Sequence, residues 1–66
     1  MEKVGKIYNV INEYSAYIID SEGNLYLFFK ADILDDTKIE VGTTVYFKPE
    51  FDKVKRATYI SKFGKN

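Results

Sequence analysis

No stretch of this chain repeats its apolar residues at helical spacing; β-branched and aromatic side chains come instead in short blocks, separated about every ten positions by turn-forming residues. That pattern predicts an all-β fold. The 66 residues suffice for one domain, 1–66, because a chain this short buries only about 60% of its unfolded surface and has nothing left for a second core. There is no cysteine and no histidine. Disulfide staples, thiolate zinc sites and imidazole catalysis are therefore excluded, and packing alone must hold the fold. No apolar run approaches the roughly 20 residues of a membrane span, and "MEKVGK" lacks the apolar core of a signal peptide. The expectation is a cytoplasmic protein that does not engage a membrane.

Five strands are predicted. The first runs from about Val4 to Ile11, and its inward residues Ile7 and Val10 break strict alternation, which places a bulge near Tyr8-Asn9. The second covers Ser15 to Asp20 and the third Leu25 to Phe29, joined through "SEGN". A helical turn is expected at Ala31–Leu34, with Ile33 and Leu34 as a plug. The fourth strand is read as Thr43 to Lys48, ended or placed on an edge by Pro49, and the fifth as about Lys55 to Ser61.

Register decides which residues of the second and third strands face inward. A connecting loop of even length, Glu22-Gly23 or Ser21 through Asn24, makes opposed residue numbers sum to an odd value. Ala16 and Ile18 then share a face with Leu25 and Leu27, and Tyr17 and Ile19 with Tyr26 and Phe28. A sheet curled into a barrel would enclose the aliphatic face, including Ile18, Leu27, Val45, Phe47 and Ile60, and leave Tyr17, Tyr26 and Phe28 outside.

These strands resemble the cold-shock domain and the related RNA-binding domain repeated in the largest small-subunit ribosomal protein. Cold-shock domains read Lys-Gly-Phe-Gly-Phe-Ile in the second strand and Val-Phe-Val-His-Phe followed by Ser-Ala-Ile in the third. This chain has Glu13-Tyr14-Ser15-Ala16-Tyr17-Ile18, then Leu25-Tyr26-Leu27-Phe28-Phe29 followed by Lys30-Ala31-Asp32-Ile33. The ribosomal-type Phe-Gly-Ala-Phe-Val is met by Tyr14-Ser15-Ala16-Tyr17-Ile18, and Val-Gly-x-x-Val by Val41-Gly42-Thr43-Thr44-Val45. The resemblance spans about Gly5 to Ser61 and implies a small five-stranded antiparallel barrel of the oligonucleotide-binding (OB) type. It departs from the family where Glu13 replaces a basic residue, Ser15 a phenylalanine and Phe28 a histidine; Tyr8 is the nearest equivalent of the first-strand tryptophan.

The resemblance implies single-stranded RNA or DNA as the partner, bound by stacking bases on exposed rings while cations follow the phosphates. Tyr17, Tyr26 and Phe28 take the stacking role, Tyr8 and Phe29 extend the row, and Lys6, Lys30, Lys55 and Arg56 are the candidate phosphate contacts. The net charge is zero, but Lys53 to Asn66 hold five basic residues and no acidic one. The competing reading is a protein-interaction module, in which the same rings pack against a protein partner or a second copy of the chain. Neither reading involves catalysis, a cofactor or a metal. Asp35, Asp36 and Glu40 lack the ligand alternation and glycine turn of a calcium loop and read as a solvated connection, and Glu13 and Glu50 have no nucleophile beside them.

Overall fold

A computed structural model, which describes residues 1–63, shows a closed barrel of five strands: β1 (Lys3–Asn12), β2 (Ser15–Ile19), β3 (Leu25–Phe29), β4 (Thr44–Phe51) and β5 (Lys55–Ser61). Around the barrel the order is β1-β2-β3-β5-β4. All pairings are antiparallel except β3 with β5, where Leu27 lies beside Arg56. A 3-10 turn follows β3 at Lys30–Asp32. It begins one residue before the expected helical turn, and only Ile33 packs against the core, whereas Leu34 is 65% exposed.

The expected bulge is present, but of the two residues read as inward only Ile7 is buried; Val10, beside a second register shift at the end of the β1–β2 ladder, is 38% exposed. Ile7 pairs with Ile18 and Asn9 with Tyr17, so Tyr8 is the extra residue of β1. At the start of the same strand β1 leaves β2 and pairs with β4 through Lys3 to Lys6, which closes the barrel. The crossing is tight: a Cβ on Gly5 would lie 2.6 Å from the Ile19 carbonyl oxygen, so only glycine fits. Strand β4 runs on through Pro49, which pairs with Ala57 beyond the segment shared with β1 and therefore costs the ladder no bond to a second neighbour.

The β2–β3 register differs from the expected one. Ile19 opposes Leu25, Ile18 opposes Tyr26 and Ala16 opposes Phe28, which leaves five residues, Asp20 to Asn24, in the loop. An odd loop reverses every assignment in β3. Tyr26 and Phe28 are sealed inside, at 2% and 0% exposure, while Leu27 moves to the outer face. The core comprises Ile7, Ala16, Ile18, Tyr26, Phe28, Val45, Phe47, Ala57 and Ile60.

Asp20 sets the odd count. Although it is buried, its Oδ1 accepts the backbone N–H groups of Glu22 and Asn24, both at 2.9 Å. Its Oδ2 accepts the Asn24 amide at 3.2 Å and the Tyr26 hydroxyl at 3.0 Å, and Lys3 Nζ lies 3.2 Å away. Asp20 is thus a loop residue that folds the chain back on itself, with Gly23 at φ 86° completing the turn. Burial alone would raise its carboxyl pKa. The hydrogen bonds from Asn24 and Glu22 and the Lys3 ammonium outweigh that and hold it well below the usual carboxylate range. The same network explains an aromatic core position, because a buried tyrosine needs a partner for its hydroxyl and Asp20 supplies it.

Candidate nucleic-acid interface

With β3 registered on Asp20, the outward alternates of β2 and β3 are Tyr17 and Ile19 beside Leu25, Leu27 and Phe29. The bulge in β1 adds Tyr8 and Asn9 opposite Tyr17. One row runs across four strands, Asn9 to Tyr17 to Leu27 to Arg56, and continues to Glu50 on β4. Tyr17 and Leu27 are half-buried within it, and Tyr8 and Phe29 are 53% and 42% exposed. Tyr14, in the β1–β2 turn, is 60% exposed. Asn12 Oδ1 accepts the Tyr14 N–H at 2.8 Å, and the Tyr14 carbonyl accepts the Lys30 N–H at 2.7 Å, which brings Tyr14 close to the end of β3.

Of the nine residues expected at the site, Lys6, Tyr8, Tyr17, Phe29, Lys30 and Arg56 lie on or around this face. Tyr26 and Phe28 do not: both are core, and neither ring offers a face to a base. Lys55 lies at the far end, where its Nζ donates to Asn24 Oδ1 at 2.8 Å. Sequence reasoning left out Leu25, Leu27 and Asn9. The first two follow from the loop parity, and Asn9 from the bulge that sets it opposite Tyr17.

The cations differ in availability. Arg56 is held on the face, its guanidinium 4.8 Å from the centre of the Phe29 ring and 3.2 Å from Asp32 Oδ2. The same Asp32 oxygen accepts the Phe29 N–H at 2.9 Å, so one carboxylate fixes both the ring's backbone and the cation stacked on it. Arg56 Nε is buried without an acceptor among the described residues. Arg56 therefore widens the flat surface more than it offers a free charge. Lys6 and Lys30 are exposed and form no ion pair among the described residues. Lys65, part of the basic C-terminal stretch, falls outside them.

The acidic connection has a structural use. Asp35 accepts the Thr37 hydroxyl and the backbone N–H groups of Thr37 and Lys62, and Asp36 pairs with Lys62 Nζ at 2.9 Å. The Thr37 hydroxyl, then the Lys62 N–H, lowers the Asp35 carboxyl pKa. Among the described residues no group of three or more carboxylates could hold a metal ion, and no helix is long and apolar enough to cross a membrane.

No family model matches the chain, and no curated protein matches it. A solved structure does. The chain superimposes over its whole length on Drosophila Unr CSD456 with a TM-score of 0.81 at 19% sequence identity, spanning 28% of that chain. This is a cold-shock-domain-like barrel. Its five strands and full coverage agree with the architecture expected from sequence, and at this identity the likeness is one of fold.

Proposed function

We propose that the protein binds single-stranded RNA or DNA on the outer face of β1–β3, by stacking and without chemistry. The observation that carries this is the row of solvent-accessible rings, Tyr8, Tyr17 and Phe29, on one face of a cold-shock-like barrel, with the unpaired Lys6 and Lys30 at its margins. Each base stacked on such a ring contributes about 1–3 kcal/mol, and the platform tolerates any sequence because every base has a π face. With two free lysines, the electrostatic share is small for a nucleic-acid binder.

Labelled oligo-U and oligo-dT titrated at two salt concentrations test the reading. Saturable binding with a shallow salt dependence supports it; no binding to either sinks it. A second reading draws on the aliphatic strip of Ile19, Leu25 and Leu27 beside the rings, which suits a protein surface better than a base. Sedimentation run beside the titration separates the two, since self-association or a protein partner would occupy the face without any oligonucleotide.

A further inference from the structure

Tyr59 stands in a backbone conformation that tyrosine does not favour. Its φ is 51°, and among the described residues it is the only one other than glycine with a positive φ. The cause is a bulge in β5. Tyr46 pairs with Ser61 and Lys48 with Thr58, so Tyr59 and Ile60 together oppose Phe47. Phe47 and Ile60 are wholly buried, whereas Tyr59 is turned outward and left 61% exposed. Glycine would take this backbone at less cost, and the ring packs into no core. Strain kept at an exposed side chain that the fold does not use points to a use outside the chain.

The surroundings suit a stacked ligand. Tyr59 borders an open cleft of about 530 Å³, lined also by Leu34, Ser61, Lys48, Met1 and Glu2. Lys48 Nζ lies 5.8 Å from the centre of the Tyr59 ring. Among the described residues its ion pair is with Glu50, at 3.5 Å and with both side chains about half exposed, a contact weak enough for a phosphate to replace. With Glu2 and Glu50 nearby, charge is balanced here and the ring supplies most of the hold.

The cleft also continues the outer platform. Arg56 and Thr58 lie on the outer side of β5 with Ala57 buried between them, and Tyr59 follows about 10 Å along the strand from Arg56. About three nucleotides span that distance at the roughly 3.4 Å spacing of a stacked strand. Resting on the single-strand reading above, we propose that this cleft is a second subsite for the same strand, where a base beyond the Arg56 end of the platform stacks on Tyr59 and its phosphate meets Lys48.

The test compares two labelled DNA oligomers, T5, which the platform alone accommodates, and T9, which also reaches the cleft. Tyr59→Gly should weaken T9 binding about five- to tenfold, the lower end for one stacked base, and leave T5 within twofold of wild type. Tyr59→Phe, which keeps the ring, should bind both as wild type does. The thermal midpoint of Tyr59→Gly should not fall, because glycine relieves the backbone and the ring supports no core. Lys48→Gln should flatten the log-log salt slope for T9 and not for T5.

Equal affinity of wild type and Tyr59→Gly for T9 would overturn the subsite and leave the platform standing. Equal losses on T5 and T9, or a clearly lower midpoint, would make Tyr59 a support of the fold and overturn it as well. Self-association of the wild type that Tyr59→Gly abolishes, with T9 binding retained, would give the cleft to a second copy instead. No binding of either oligomer by the wild type would remove the single-strand reading itself, and the inference with it.

Discussion

Phe28 and Phe29 are neighbours in sequence, yet Phe28 is wholly enclosed by the barrel while Phe29 keeps 42% of its surface open to solvent. The same division separates Tyr26 from Tyr17 across the β2–β3 hairpin. Residue type does not distinguish these rings; the number of residues between Ile19 and Leu25 does, and Asp20 sets that number. The inner pair gives the barrel its packing, where Tyr26 meets Phe47 at 5.0 Å between ring centres, whereas in the outer pair Tyr17 is half-buried and Phe29 stacks against Arg56.

The sharpest way to break this comparison is truncation on each side. Phe28→Ala should cost about 3–5 kcal/mol, a large part of a small domain's stability, and leave much of the protein unfolded in a urea titration. Phe29→Ala should shift the same curve by less than about 1 kcal/mol. Similar losses in both would mean that the two faces are not distinct.

Next in size is the residue that sets the division. Asp20→Ala leaves the buried Tyr26 hydroxyl and two loop N–H groups without their acceptor, which should cost about 1–3 kcal/mol or more. Its charge also gives a pH signature. The Asp20 carboxyl is held below its unfolded value, so in acid the unfolded chain takes up a proton first. Its contribution is therefore complete above the ordinary carboxylate range and is lost as pH falls through that range toward the folded value. Thermal midpoints measured from about pH 6 down to 2 should fall in the wild type and flatten in Asp20→Asn, with Asp35 supplying a residual slope of the same sign.

On the outer side, Tyr17→Ala should lose about 1–3 kcal/mol of oligonucleotide affinity with little change in stability, and Tyr26→Phe should lose none. Affinity lost equally in both would mean that the inner ring reports on binding through the fold. The smallest effect separates the cations. Lys6→Gln and Lys30→Gln should each flatten the log-log salt slope by about 0.7, whereas Arg56→Gln, whose charge already faces Asp32, should flatten it less.

Much of the fold could be read from the chain. The broken alternation of Ile7 and Val10 placed the β1 bulge, Leu25 to Phe29 marked β3, and Ile18, Val45, Phe47 and Ile60 fell inside as expected. Loop parity could not be read from hydrophobic pattern, because β3 is apolar on both faces and either register buries a plausible set. Its signal was chemical: an aspartate three residues before Gly23 and four before Asn24 is the composition of a side-chain-capped turn, and counting Asp20 as the end of a strand concealed it. The candidate site inherited that error at Tyr26 and Phe28. Tyr17 and Tyr8 were unaffected, since their placement depends on β1 and β2, whereas Phe29, expected only to extend the row around its edge, is put on the outer face by the observed register.

The barrel closes through two seams that join distant parts of the chain, Leu27 with Arg56 and the start of β1 with β4, whereas β1, β2 and β3 are linked in sequence by short connections. Bringing distant segments together carries the larger loop-closure entropy, so the three-stranded meander organises first and the seams last. Strands β4 and β5, which cover Tyr26 and Phe28, are also synthesised after β1, β2 and β3. During that interval the hairpin shows solvent two aromatic faces instead of one, and its unsealed inner face is the surface on which a chaperone, or a second unfinished chain, has time to act.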